Sequence, residues 1–148
     1  MAGVKGTAQT AEITTGTSKI TLLQIVAAAN VRALVKEISV SFKGVTNTDA
    51  PILVQVHRQT SAGTMSALTL NKMNEGDDET LQTTGLHTAT AEPTTGAEVL
   101  GEEVHPQGGY TWQAPFGGEI VVKGGNRLGI AVTAAVSVSA KARIVFEE

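Results

Sequence analysis

The feature that most constrains the fold is a two-residue alternation of aliphatic and polar side chains. Within residues 51–60, the aliphatic positions Ile52, Val54 and Val56 alternate with mostly polar neighbours. Within residues 136–146, every second residue is hydrophobic, and serine, lysine and arginine occupy most positions between them. Successive side chains of a β-strand point to opposite faces of the sheet, so this pattern predicts half-buried strands.

The composition agrees with a fold made of strands and turns. The 148 residues include 20 threonines, 16 valines and 8 isoleucines, which are β-branched and suit a pleated sheet. Sixteen glycines and four prolines provide turns. This length corresponds to one domain. We therefore predict an all-β antiparallel sandwich of about eight or nine strands. A jelly roll is the preferred arrangement, and an immunoglobulin-like sandwich is the alternative.

The alternation and the turn residues together predict where the individual strands lie. Residues 44–50 are rich in turn formers, and the run Gly124-Gly125-Asn126 predicts a tight hairpin between its flanking strands. An amphipathic helix over residues 22–36 is the alternative to strands there, because leucine and alanine favour helix. The candidate strand segments, from which about eight or nine strands are expected, are residues 20–26, 34–42, 51–60, 65–70, 86–91, 99–104, 110–113, 119–123, 127–133 and 136–146.

Two of these strands carry specific predictions about which side chains are buried. In the second strand, Leu34 is expected on the same face as Ile38, Val40 and Phe42. In the last strand, the alternation places Val136 on the buried face. A continuous two-residue period assigns each residue of a strand to one face.

The first 18 residues differ in composition from the remainder. Residues 1–18 are rich in threonine, alanine and glycine, with isolated apolar residues such as Val4 and Ile13. Such a segment buries little apolar surface by itself, so it is predicted to be an extended N-terminal arm. An ordered arm of this kind is held either by its own domain or by a neighbouring chain. Residues 19–148 are predicted to form the single sandwich domain.

Charge and hydrophobicity exclude several classes of partner. The formal net charge is −3 and no basic run is present, which argues against nucleic acid as a partner. The apolar run of residues 20–31 is shorter than the ~20 residues that a membrane-spanning helix needs. The chain has no cysteine, hence no disulfide and no thiolate zinc site. We expect neither a nucleic-acid nor a membrane partner.

No residue pattern predicts catalysis or a cofactor. His57, His87 and His105 have neither a second histidine nor a carboxylate at the spacing of a metal site, so surface or turn positions are expected for them. Nucleophile-elbow, phosphate-loop and dinucleotide-binding motifs are missing from the sequence. We predict that the protein is not an enzyme and that it has no catalytic residues, metal or cofactor.

Two local features allow alternative binding functions. The segment Asn74 to Glu79 (NEGDDE) offers oxygen ligands for calcium, although its spacing differs from an EF-hand loop, and a solvated acidic loop is the preferred interpretation. Tyr110 and Trp112 are expected on one face of a short strand, close to Phe116. Such a pair could stack on sugars, which makes a carbohydrate-binding module an alternative. Burial of Trp112 in an aromatic-poor core is the preferred interpretation.

The order of these segments resembles a known family of viral proteins. The arm leads into VRALVKEISVSFKG (residues 31–44), the later part reads YTWQAPFGGEIVVKGGNRLGIAV (residues 110–132), and the chain closes on IVFEE (residues 144–148). This layout is similar to that of jelly-roll decoration, or cement, proteins of tailed bacteriophage capsids and related phage virion proteins. The likeness covers most of the chain as a pattern of strands and turns, without a diagnostic motif.

The resemblance implies a structural virion component without catalytic activity. It implies a homo-oligomer, often a trimer, which is made in the host cytoplasm and is seated on the major capsid protein at the capsid exterior. The chain has only five aromatic residues, and a core of small aliphatic side chains fits a domain whose stability is supplemented by assembly. A minor tail or fibre domain is a further alternative.

Overall fold

The computed structural model describes residues 3–43 and 50–148, and within them every regular element is a β-strand. No helix in these ranges is long and apolar enough to span a bilayer. The predicted turn over residues 44–50 lies, apart from Ala50, outside the described part. The strands are β1 (Lys5–Gln9), β2 (Ile13–Thr14), β3 (Ile20–Val26), β4 (Ala33–Lys43), β5 (Ile52–Gln59), β6 (Thr64–Leu68), β7 (Asn71–Lys72), β8 (Thr84–Ala91), β9 (Thr95–Val104), β10 (Tyr110–Gln113), β11 (Ile120–Val122), β12 (Arg127–Thr133) and β13 (Ser139–Glu147).

The strands form two packed antiparallel sheets, which confirms the predicted β-sandwich. Sheet I has the order β10-β4-β13-β1-β7, with β11 also paired to β4 and β2 also paired to β13. Sheet II has the order β6-β8-β3-β12-β5-β9. The described strands outnumber the eight or nine predicted because β1 and β2 of the N-terminal segment pair with β13, and the two-residue strand β7 pairs with β1.

The core lies between the sheets and consists mainly of aliphatic side chains. In β13, the alternation predicted from the sequence places Ala140, Ala142, Ile144 and Phe146 in the core. Phe146 is the largest fully buried side chain of the described residues. Apolar surface removed from water contributes about 25 cal/mol per Å². The sandwich is therefore stabilised by many small contributions rather than by a few large aromatic ones.

The face assignment of β4 was wrong at its beginning. Leu34 is only half-buried, whereas Val35 is fully buried. The pairing of β4 with β13 shifts by one residue between Val145 and Phe146, which marks a β-bulge. A bulge adds one residue to one strand and so reverses the faces on one side of it. The alternation beyond the bulge is as predicted, with Ile38 and Val40 buried.

The turn at residues 123–126 is tight, but it does not form the predicted hairpin. The Asn126 amide donates to the Lys123 carbonyl at 2.9 Å, and Gly125 has a φ of +81°. However, β11 pairs with β4 in sheet I, whereas β12 pairs with β3 and β5 in sheet II. The turn therefore connects the two sheets across one end of the sandwich. The predicted hairpin was wrong because hydrophobic alternation does not identify the partner of a strand.

The last strand begins later than predicted, and Val136 is exposed rather than buried. Residues 135–136 form a bend between β12 in sheet II and β13 in sheet I. The chain has to cross the end of the sandwich at this point, so the alternation of residues 136–138 does not belong to a paired strand. Val138 is nevertheless buried.

Residues 20–26 form strand β3, which excludes the alternative helix over residues 22–36. Strand β3 lies between β8 and β12, and Leu22, Leu23 and Ile25 are fully buried. Burial on both faces explains why this segment is a continuous apolar run without clear alternation. Leucine and alanine favour helix only weakly, and tertiary pairing overrides that preference here.

The N-terminal segment is part of the sandwich. Strand β1 pairs with β13 and β7, and β2 pairs with the beginning of β13. Between and after these strands, the hydroxyls of Thr10 and Thr15 accept the amides of Ala142 and Val138 at 3.0 and 3.1 Å. The sequence left open whether this segment is held by its own domain or by a neighbouring chain, and the structure shows that its own domain holds it. Residues 3–15 therefore lie along sheet I of their own domain.

Candidate binding surfaces

The two aromatic residues proposed for sugar stacking point toward the core. Tyr110 and Trp112 pair with Val40 and Ile38 of β4, whose side chains are buried. Tyr110 is buried, and Trp112 is half-buried and packs against the core. Burial raises the pKa of the Tyr110 hydroxyl, and the Glu102 carboxylate adds to this effect. The packing of Trp112 against the core matches its interpretation as a core residue, and because Tyr110 is buried the two residues do not form an open platform.

The three histidines occupy separate parts of the sandwich. Nδ1 of His87 lies 2.9 Å from the hydroxyl of Thr88, and Nδ1 of His105 accepts the Gln107 amide at 3.2 Å in an exposed turn. In the described ranges, no three acidic, histidine or cysteine side chains are grouped to hold a metal ion.

His57 is buried, although its outward position on β5 predicted a surface histidine. Its Nε2 lies 3.3 Å from the Lys19 ammonium, and its buried Nδ1 has no hydrogen-bond partner in the described part of the chain. Burial lowers the pKa of His57, the Lys19 charge lowers it further, and the Glu98 carboxylate opposes both. The residue is therefore neutral near pH 7.

The acidic segment Asn74–Glu79 is an exposed loop stabilised from within. The Asn74 side chain accepts the Gly76 amide at 3.0 Å and donates to an Asp77 carboxylate oxygen at 2.7 Å. The Lys72 ammonium donates to the carbonyls of Asp77 and Glu79 at 2.5 and 3.3 Å. The Lys72 ammonium thus already binds two backbone oxygens of this loop. The loop geometry favours the interpretation of a solvated acidic loop.

A polar cluster is buried on the outer face of sheet II. Gln24 and Gln59 are almost completely buried, and the amide of Gln24 donates to the amide oxygen of Gln59 at 2.6 Å. Gln59 in turn donates to the hydroxyl of Thr21 at 3.2 Å, and this hydroxyl donates to the Glu92 carboxylate at 2.6 Å. Glu92 belongs to the connection between β8 and β9. The cluster therefore fixes this connection on the face of the sheet.

Two arginines line a cavity of about 450 Å³ beside the turn at residues 123–126. Arg58 lies opposite the core residue Leu128, so its side chain starts on the inner face and reaches the Val121 carbonyl of sheet I at 2.6 Å. Arg127 lies on the outer face and donates to the side-chain oxygen of Gln24 at 2.9 Å. The cavity is lined by Arg58, Gln59, Thr60, Gly125, Asn126 and Arg127. It combines two positive charges with neutral polar groups.

Phe116 is fully exposed at the tip of the turn between β10 and β11. The Gly118 amide donates to the Pro115 carbonyl at 2.8 Å and Gly117 has a φ of +74°, as in a type II turn. Both ends of the turn are attached to Lys36. The Ala114 amide donates to the backbone carbonyl of Lys36 at 2.8 Å, and the Lys36 ammonium pairs with the Glu119 carboxylate at 2.8 Å. The aromatic ring is therefore presented on a well-anchored turn.

The ion pair between Lys36 and Glu119 shifts the pKa values of both residues. The hydrogen bond to Glu119 raises the pKa of Lys36, with the nearby Glu147 carboxylate contributing in the same direction. The hydrogen bond from Lys36 lowers the pKa of Glu119. The pair is partly exposed, so its contribution to stability is small.

The arginine cavity was not predicted from the sequence, although the sequence carries one signal of it. Arg58 follows Ile52, Val54 and Val56 at the same two-residue spacing, so the alternation places a charged residue on the inner face. A charge at an inward position has to reach solvent or a polar partner at the end of a strand. Arg127 carries no such signal, because its role depends on the pairing of β12 with β5.

Comparison of this chain with protein-family models, with curated proteins and with solved structures found no match. Inference about function therefore depends on the geometry of the chain itself. The resemblance to phage decoration proteins stays a prediction.

Proposed function

We propose that this chain is a structural virion protein that decorates and stabilises a bacteriophage capsid. It binds the outer surface of the major capsid protein as a homotrimer and has no catalytic role. The observation that carries the proposal is the exposed Phe116 ring on its anchored turn. Exposed aromatic residues on rigid supports are typical anchors of protein–protein interfaces, because little conformational entropy is lost on binding.

The architecture supports a role in which mechanical integrity matters. Residues 3–15 are hydrogen-bonded along β13, and the carbonyl and amide of Val4 pair with Glu148 at 2.9 and 3.0 Å. The N-terminal segment and the last strand thus hold each other within sheet I. A protein that reinforces a shell needs a domain that does not open at its ends, and this pairing provides it.

Substitution of Phe116 tests the proposal directly. Burial of a phenylalanine side chain contributes about 1.5–3 kcal/mol, and each 1.4 kcal/mol changes affinity by about tenfold. We expect Phe116→Ser to weaken binding to capsids that lack the protein by about 10- to 100-fold, as measured by co-sedimentation. The melting temperature should stay unchanged, because the ring makes no core contact.

Val136→Ser provides the matched control, since Val136 is also an exposed apolar residue at a bend. It should bind capsids like the unaltered protein. Equal binding by both variants would exclude Phe116 as the anchor, and no binding by the unaltered protein would contradict capsid decoration itself. Light scattering coupled to size-exclusion chromatography tests the trimer, and electron microscopy of decorated capsids tests the position.

A further inference from the structure

The guanidinium groups of Arg58 and Arg127 have unused hydrogen-bonding capacity. Each guanidinium carries five N–H donors. One donor of Arg58 binds the Val121 carbonyl and one donor of Arg127 binds the side-chain oxygen of Gln24, and both acceptors are neutral. In the described part of the chain, the ion pairs involve Lys36, Lys43 and Arg143 instead. The two arginines therefore bring uncompensated positive charge to the cavity.

Both arginines are held in place before any ligand binds. The bond from Arg58 to Val121 joins sheet II to sheet I at the end of the core. Arg127 is oriented by Gln24, whose own amide donates to Gln59 and to the Ser61 carbonyl at 2.6 and 3.0 Å. Preorganised groups lose less conformational entropy on binding, so more of their interaction energy becomes affinity.

The lining of the cavity selects for an oxyanion. Its other residues, Gln59, Thr60, Gly125 and Asn126, carry no charge, and no carboxylate is among them. The planar guanidinium fork matches the two oxygens of a carboxylate or phosphate in a bidentate pair. A volume of about 450 Å³ exceeds the space that one small anion needs and falls in the range of ligand sites of about 300–1,000 Å³.

We propose that the Arg58–Arg127 cavity binds the carboxylates of an acidic peptide segment of a partner protein. The arginines pair with one or two aspartate or glutamate side chains, and the side-chain amide of Asn126 and the hydroxyl oxygen of Thr60 line the same cavity for contacts to the peptide backbone. This inference does not depend on the identity of the partner, and it stands independently of capsid decoration.

The test uses the full chain and a short acidic peptide as the probe. The blocked hexapeptide NEGDDE copies residues 74–79, and NQGNNQ is its uncharged counterpart. We expect NEGDDE to shift the backbone amide resonances of Gly125 and Asn126 in two-dimensional ¹⁵N NMR spectra, and NQGNNQ to leave them unchanged. Arg127→Gln should weaken binding at least tenfold. Arg58→Lys, which keeps the charge but removes the fork, should weaken it too.

Lys5→Gln is the charge-matched control, because it removes one positive charge at an exposed site on β1. Melting curves establish that each variant is folded. If Lys5→Gln weakened peptide binding as much as Arg127→Gln, binding would depend on net charge alone and the proposal would be overturned. Inorganic phosphate is titrated in parallel, and a cavity that binds phosphate but not NEGDDE would contradict the peptide assignment. Absence of any shift with millimolar peptide would also refute it.

Discussion

The buried amide cluster on sheet II allows a quantitative test of the structure. Gln59 accepts one hydrogen bond from Gln24 and donates one to Thr21, and it is 3% exposed. The substitution Gln59→Leu retains most of the side-chain volume but removes both bonds. It also leaves one buried N–H of Gln24 without an acceptor, because only the Ser61 carbonyl remains as its partner.

The expected cost follows from these two bonds. A hydrogen bond contributes about 0.5–1.5 kcal/mol to stability, so the loss of two bonds lowers the free energy of unfolding by about 1–3 kcal/mol. For a domain of about 150 residues, each kcal/mol corresponds to about 2–4 °C. The melting temperature should therefore fall by between about 2 and 12 °C. The unsatisfied N–H of Gln24 favours the upper half of this range.

Urea unfolding followed by circular dichroism measures this change at constant temperature. Gln55→Leu is the matched control, because Gln55 lies on the same strand and makes one exposed hydrogen bond to Glu98. It should lower the free energy of unfolding by less than about 0.5 kcal/mol, as is usual for surface substitutions. If Gln59→Leu were as stable as Gln55→Leu, the buried hydrogen bonds of Gln59 would contribute nothing to stability.

The N-terminal segment, His57 and the Lys36–Glu119 ion pair can each be tested separately. Deletion of residues 3–15 exposes the edge of β13 and should lower the free energy of unfolding by more than about 3 kcal/mol in urea titrations; an unchanged urea midpoint would contradict a stabilising role of this segment. His57 has a lowered pKa in the folded state, so the unfolded chain binds the proton more readily and stability should fall as pH drops below about 6.5. His57→Gln should flatten this dependence of the urea midpoint, and an unaltered slope would exclude His57 as its source. Lys36→Gln should raise the pKa of Glu119 toward its ordinary value in a carboxyl ¹³C NMR titration; no change would mean that the pair does not form in solution.

Local sequence pattern was sufficient for the class of fold and for the position of most strands. Alternation in residues 51–60 and 139–146 reflects burial on one face only, which is a local property of each strand. The packing of Trp112 against the core could also be predicted, because Trp112 lies on the face of a strand that has to cover the core. Such inferences need no knowledge of the partner strands.

Pairing between segments that are distant in sequence determined the features that the local hydrophobic pattern could not predict. The threonine-rich N-terminal residues are a poor predictor of structure by themselves, yet their hydroxyls and amides match those of β13 over residues 138–147. The glycine-rich turn at residues 123–126 was recognisable as a turn. Whether it joined two strands of one sheet or crossed between sheets depended on which strands β11 and β12 pair with.

The Phe116 turn and the Arg58–Arg127 cavity also differ in how much of each could be predicted from the sequence. The strands predicted over residues 110–113 and 119–123 placed Phe116 in the connection between them, whereas the exposure of its ring came from the structure. Only the tertiary structure brought Arg58 and Arg127 to one cavity, because they come from strands that pair over a separation of about 70 residues along the chain. It also buried Gln24, Gln59 and His57 at outward-facing positions. A two-residue period reports the face of a strand, whereas burial depends on what the rest of the chain places over that face.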